Sequence, residues 1–326
     1  MPYRQIDVSS CLRGDDCSSL EQPLFLSVAV LPMTIMPTSS CSTLRLSTVM
    51  GAALLANLSM MPFAQASDSS QLISLINQYR AAPQRCNGQR TAPAGPLAAN
   101  EKLAQVRLSQ GMQLREVLRG AGYQAAQVQA MAISAPAGAE AAMQVLTQSY
   151  CKALLDSHYA EVGVSRSGNR WQIVLAQPVL SGNIGDWQSA GKEVLRLVNE
   201  ARAKPRRCGS QSFKSAKPLT WDAKLANAAL AHSREMASLD YFSHAGKDGS
   251  QVDKRAQQQG YQWRRIGENI AGGPGSPKQV VSGWLASPGH CSNIMNPDYT
   301  QMGTAYAVNP KSSEVIYWTQ VFGTPR

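Results

Sequence analysis

The chain is short of acid. Its 326 residues carry 21 Asp and Glu against 31 Lys and Arg, a formal charge of +10. A basic surface of this size favours anionic partners, such as acidic lipid headgroups or anionic glycans of a cell envelope. No Lys/Arg run is interleaved with aromatics, so there is no nucleic-acid stripe and no nucleic-acid partner is expected. The longest apolar stretch is too short and too interrupted for a good membrane span. Histidine is scarce as well: His158, His232, His244 and His290 are all there are. Apolar residues are not scarce. At 44% they support real cores and exclude a disordered chain. The length favours two domains over one.

The apolar stretch lies in residues 44–63, with Arg45 ahead of it and Ala64-Gln65-Ala66 behind. That pattern is a secretory signal with an Ala-x-Ala cleavage site. A signal belongs near its start codon, so Met33 or Met36 is the better start and Ser67 the expected mature N-terminus. Residues 1–66 then form an upstream extension plus signal peptide, and the protein is exported, either periplasmic or extracellular. No lipid-modifiable cysteine follows the cleavage site and no second hydrophobic span appears, so no transmembrane anchor is expected in the mature chain. Cleavage removes Arg4, Arg13 and Arg45 with Asp7, Asp15, Asp16 and Glu21. The balance of 31 against 21 becomes 28 against 17, a charge of +11. Cys11, Cys17 and Cys41 also go. Cys86, Cys151, Cys208 and Cys291 remain, an even number that suggests two disulfides in an exported protein.

The mature chain reads as two copies of one domain. Leu75-Ile76-Asn77 through Arg85-Cys86 matches Leu197-Val198-Asn199 through Arg207-Cys208 at an offset of 122. Gly122-Tyr123 matches Gly260-Tyr261 at 138, and Cys151 and Tyr159 match Cys291 and Tyr299 at 140. The copies span residues 67–182 and 187–326. Four cysteines allow three pairings. Only Cys86–Cys151 with Cys208–Cys291 repeats one bond in both copies. Each would stabilise its domain by roughly 4 kcal/mol in the chain-entropy model.

In the second copy, Asp186 to Arg202 has the apolar spacing of an amphipathic helix. Asp222 is a good N-cap for a helix reaching about Leu239. Gln251–Gln259 and Ser276–Leu285 read as shorter helices, and Tyr299–Val308 with Glu314–Phe322 as paired strands. The first copy has the same outline. Helices flanking an antiparallel sheet make an α+β fold, here tandem α-β-α sandwich domains.

The copies differ where the polar chemistry lies. The second carries Phe242-Ser243-His244 in an insertion, Gly267-Glu268-Asn269, and Ser287-Pro288-Gly289-His290. The first has Ala130 in place of Glu268 and Tyr150 in place of His290. The scaffold and the site are therefore separable. His244, Glu268 and His290, with Asn269 and Ser287 beside them, are the candidate ligand cleft, read as loop and turn segments. Two imidazoles and a carboxylate suit acid–base work or a Zn²⁺ with water in an open position. Ser287, three residues before His290, raises a Ser–His nucleophile. His232 falls on an apolar helix face and reads as core.

Taken together, Leu219-Thr220-Trp221, Phe242-Ser243-His244, Arg255, Gly260-Tyr261, Gly267-Glu268-Asn269-Ile270-Ala271-Gly272-Gly273, Trp284, Ser287 to Met295 and Tyr317 to Gly323 make the second copy resemble the CAP superfamily. That group comprises the cysteine-rich secretory proteins, insect antigen 5 and the plant pathogenesis-related proteins. The resemblance implies an α-β-α sandwich whose cleft carries two His and two Glu and, in some members, a divalent metal. His244, Glu268 and His290 fall on three of those positions. The second Glu, three residues after the Trp, is here Ser287.

The resemblance implies a binding protein for lipid, sterol, divalent metal or a protein partner, with no cofactor required. A metal-dependent or Ser–His hydrolase is the alternative. A third reading is an envelope structural protein, in which the first domain serves a partner.

Overall fold

The computed structural model describes residues 67–107, 113–136, 138–180 and 184–326. The signal peptide expected within residues 1–66, and residues 181–183 between the halves, lie outside these. The first half runs α1 (Asp68–Arg80), β1 (Gln84–Cys86), β2 (Gln89–Thr91), β3 (Ala98–Ala99), α2 (Glu101–Ala104), α3 (Leu114–Gly120), β4 (Ala125–Ser134), α4 (Gly138–Leu155), β5 (Glu161–Ser167) and β6 (Arg170–Pro178). The second runs α5 (Trp187–Arg202), β7 (Arg206–Cys208), β8 (Gln211–Phe213), β9 (Thr220–Trp221), α6 (Ala223–Leu239), α7 (Val252–Gln258), β10 (Trp263–Gly272), α8 (Pro277–Ala286), α9 (Pro288–Met295), β11 (Gln301–Val308) and β12 (Ile316–Pro325). No helix among the described residues is long and apolar enough to cross a membrane.

Helix starts follow their caps. Asp186, Asp222 and Ser276 each accept hydrogen bonds from the first-turn amides of α5, α6 and α8, satisfying N–H groups that the helix leaves unpaired. Each half has one four-stranded sheet, in the orders β3-β5-β6-β4 and β9-β11-β12-β10. β12 is buried along nearly its whole length, and its alternation explains the sandwich. Trp318 and Phe322 join Val194 of α5, Trp284 of α8 and Ile294 of α9 on one face. Val321 joins Leu225 and Ala229 of α6 on the other, where Tyr317 packs with Met236. The molecule is α+β, with helices covering both faces of a largely antiparallel sheet.

Both disulfides join as the repeat requires. Cys86–Cys151 and Cys208–Cys291 each tie a short hairpin to a helix. Two buried arginines make a second repeated device. Arg80 donates to the carbonyls of Gly95, Leu154, Asp156 and Tyr159, and Arg202 to those of Lys217, Ile294, Asn296 and Tyr299. Each guanidinium gathers the end of the leading helix, the segment before the first sheet strand and the loop before the third.

The halves meet through close backbone. A Cβ on Gly95 would lie 3.1 Å from the amide nitrogen of Gly272, and one on Gly283 would lie 3.3 Å from the carbonyl of Pro96. Gln279 of α8 donates to the buried Glu161 carboxylate at 2.7 Å. Glu314 is buried at the same junction, with Oε2 unpartnered. Burial pushes its carboxyl up to about 7, against the pull of Arg80.

Two local expectations need correction. Gly267-Glu268-Asn269 is strand rather than loop: all three residues sit in β10, paired with β12. Gly267 is there for packing, since a Cβ would fall 2.2 Å from the Tyr299 hydroxyl. Pro288-Gly289-His290 is the first turn of α9 rather than a free turn. Proline at the first helical position loses no hydrogen bond and arrives with helical φ.

Candidate functional site

The site is built on β10, the edge strand of its sheet. An edge strand leaves alternate carbonyls without partners. Here three side chains cap them. The Tyr299 hydroxyl donates to the Ile266 carbonyl at 3.2 Å, Asn293 Nδ2 to that of Glu268 at 3.1 Å, and Trp284 Nε1 to that of Ile270 at 3.1 Å. The Trp284-to-Asn293 segment is thus fastened along the strand edge, and α9 carries His290 with it.

Consecutive strand residues face opposite ways. Glu268 stands opposite Val321 in register and Asn269 opposite Gln320. On the Val321 side, Glu268 Oε1 accepts from His244 Nδ1 at 2.8 Å and Oε2 from Arg255 Nη2 at 2.6 Å. Glu268 and Arg255 are buried, whereas the His244 side chain is 53% exposed. Arg255 also donates to the carbonyls of Ser250 and His244, at 2.7 and 3.0 Å. It therefore holds both the carboxylate and the backbone of the histidine that the carboxylate orients. With Glu268 accepting at Nδ1, the neutral form of His244 carries its hydrogen there and leaves Nε2 as an acceptor on a half-exposed ring.

His232 completes the support. It is fully buried, and its Nε2 donates to the Ser243 carbonyl at 2.9 Å. Burial lowers its pKa and keeps the ring neutral. The residue packs in the core, as its helical position indicates, and it also pins the residue before His244.

His290 approaches from α9. Its Nδ1 is buried with no hydrogen-bond partner. Burial first, and then the positive field of His244, push its pKa down to about 3, so this imidazole is neutral at ordinary pH. Asn269 and Ser287 do not join it in an accessible cleft. Asn269 is fully buried and braces α9, donating to the His290 carbonyl and to Gln320 while accepting from Asn293. Ser287 is buried at the N-cap of α9. No hydrogen bond joins Ser287 to His290, so the pair lacks the contact that activates a serine nucleophile.

The metal reading needs Glu268 as a ligand, and both of its oxygens are engaged. Among the described residues, no group of three or more His, Cys, Asp or Glu is arranged to hold an ion. The residues do not fit a three-ligand zinc centre. They fit an imidazole backed by a carboxylate, the arrangement that fixes a histidine's tautomer and ring plane. Arg255, His232 and Asn293 are the supporting residues that a search for site chemistry passes over. Arg255 and Asn293 were visible only as members of the family pattern, and His232 only as a core residue.

Residues 195–322 match the family model described as the cysteine-rich secretory protein family, CAP. The second half is therefore similar to the CAP family over this segment. It is similar to two proteins of Bacillus subtilis (strain 168). One is the uncharacterized protein YkwD, 34% identical over 131 residues, which are 40% of this chain and 46% of that one. The other is the uncharacterized membrane protein YlbC, 33% identical over 131 residues, covering 40% of this chain and 33% of that one. The match thus spans less than half the length of either relative. Among solved structures, the chain is similar to an extracellular protein containing an SCP domain from Bacillus anthracis str. Ames. That likeness has 16% identity and a TM-score of 0.37, over 68% of this chain and 75% of the other. It is also similar to an outer surface protein from Borrelia burgdorferi, at 18% identity and a TM-score of 0.34, over 41% and 95%.

Proposed function

We propose that this chain is an exported tandem protein whose CAP domain binds a hydroxyl-bearing apolar ligand, a lipid or sterol, at His244. The observation that carries this reading is the Arg255–Glu268–His244 chain. Two buried charged groups hold one half-exposed imidazole with its accepting nitrogen outward. With the ring's hydrogen held at Nδ1, Nε2 accepts a ligand hydroxyl, and the neutral His290 adds no competing charge. Tyr241 and Phe242, partly buried just before the histidine, supply apolar surface. Binding is favoured over hydrolysis because, among the described residues, no hydroxyl or thiol is hydrogen-bonded to the ring of either histidine.

The first half, with Ala130 and Tyr150 at the matching positions, is proposed as a degenerate CAP-like domain. It supports the second through Glu161 and Gln279, and a protein partner is proposed to bind it. The test is native mass spectrometry of the exported protein against H244A/H290A. We expect a lipid-mass adduct on the wild type that the variant loses while keeping both disulfides. An adduct of equal occupancy on both would overturn the reading.

A further inference from the structure

The start of β10 carries a feature that the cleft does not use. The ladder with β12 pairs Trp263 with Pro325 and Arg265 with Thr324, and the register slips between them, so Arg264 is the extra residue of a bulge. In regular strand, neighbours such as Arg264 and Arg265 would point to opposite faces. A bulge re-aims them, and here both line one surface cavity of about 480 Å³ with Pro297, Asp298 and Thr300.

The first half has the same slip between Ala125 and Gln127 on β4. At an offset of 138, its residues in place of the two arginines are Ala126 and Gln127. The fold therefore needs the bulge and not the guanidinium groups. Arg265 Nη2 lies 3.3 Å from Asp298 Oδ2, both side chains being at least half exposed. An exposed pair of this kind holds only weakly. Arg264 has no acidic partner among the described residues.

We propose that Arg264 and Arg265 form a site for a phosphate group, on the bulge and independent of His244. Two guanidinium forks and the Thr300 hydroxyl offer more donors than one planar carboxylate can accept. A tetrahedral phosphate, with several acceptor oxygens, can take them all. Asp298 opposes the anion and holds Arg265 until a phosphate replaces it. The group is supplied either by free phosphate or by the headgroup of an anionic phospholipid, and the shared chemistry is the oxyanion.

The test titrates inorganic phosphate, at low ionic strength, into the wild type, R264A/R265Q, D298N and H244A, followed by NMR. R264A/R265Q installs the residues that the first half carries at the same bulge, so the fold is kept. Saturable shifts centred on Arg264, Arg265 and Thr300 are expected in the wild type. Affinity should fall at least about tenfold in R264A/R265Q, rise several-fold in D298N, and stay unchanged in H244A. Phosphate binding by R264A/R265Q at wild-type strength overturns the site, as do shifts centred elsewhere. Co-sedimentation with phosphatidylcholine vesicles, with and without phosphatidylglycerol, then assigns the source. Wild-type capture by the anionic vesicles that R264A/R265Q loses identifies the headgroup. Arginine-dependent phosphate binding without such capture identifies free phosphate.

Discussion

Replacing Arg202 by methionine should cost more stability than any exposed arginine on this protein. The side chain is fully buried and makes four hydrogen bonds to backbone carbonyls, at 2.8, 2.6, 2.8 and 3.4 Å. Bonds from a charged donor contribute about 1.5–3 kcal/mol each, so the four give on the order of 6–12 kcal/mol. Burial works against them. It pulls the guanidinium down to about 10, which corresponds to roughly 3 kcal/mol against the charged form. Relaxation and water entering beside the exposed Lys217 recover part of the remainder. R202M should therefore lose about 4 kcal/mol, in the range for breaking a buried charged network. The assay is urea unfolding of the disulfide-intact protein, followed by tryptophan fluorescence. R207M is the control, because that side chain reaches only the nearby Gly209 carbonyl from the surface. An R202M loss below about 1 kcal/mol would refute the view that this arginine locks three segments together.

Other outcomes follow from the same contacts. Glu314 has a folded pKa of about 7, above its ordinary 4.5. Its contribution is then fully present below about pH 4.5 and lost as pH rises through about 7. E314Q should flatten the pH dependence of Tm across that window, and parallel curves for the two proteins would contradict this. E268Q removes the charge that Arg255 faces and weakens the hold on His244. Ligand occupancy at the cleft should drop about tenfold, as for other residues that orient a site, with mass spectrometry as the readout. C86S/C151S opens a closure between cysteines 65 apart in sequence. It should destabilise the first half by roughly 4 kcal/mol, seen as a lower first transition in calorimetry.

Much of the architecture is legible in the sequence. Asp222 announced a helix start because its side chain suits an N-cap, and the structure shows Ser276 capping in the same way. The cysteine pairing followed from matched positions in the two halves, and the α-β-α layering from the order of helical and alternating segments. The family pattern named His244, Glu268 and His290. What failed to show was tertiary. Gly267-Glu268-Asn269 has turn chemistry, yet its glycine makes room for a tyrosine hydroxyl across the sheet and the segment is an edge strand. Ser-Pro-Gly reads as a turn until Pro288 is seen opening a helix. Arg202 closes an amphipathic helix in the sequence, with nothing nearby to mark it as buried. Its burial depends on carbonyls more than ninety residues away in sequence, and no local pattern encodes that. Arg255 is hidden in the same way, because its carboxylate partner lies on another element.

In the proposed function, buried Glu268 and Arg255 present the outer nitrogen of His244 to a ligand. Nitrogen-15 correlation spectra of the histidine side chains, taken at about pH 8, above the ordinary histidine range, test this. The expected spectrum shows His244 protonated at Nδ1. Adding lipid extract should shift its Nε2 resonance, while that of buried His232 stays in place. A His244 protonated at Nε2, or one whose resonances ignore the extract while the protein takes up lipid, would contradict a ligand site at this nitrogen.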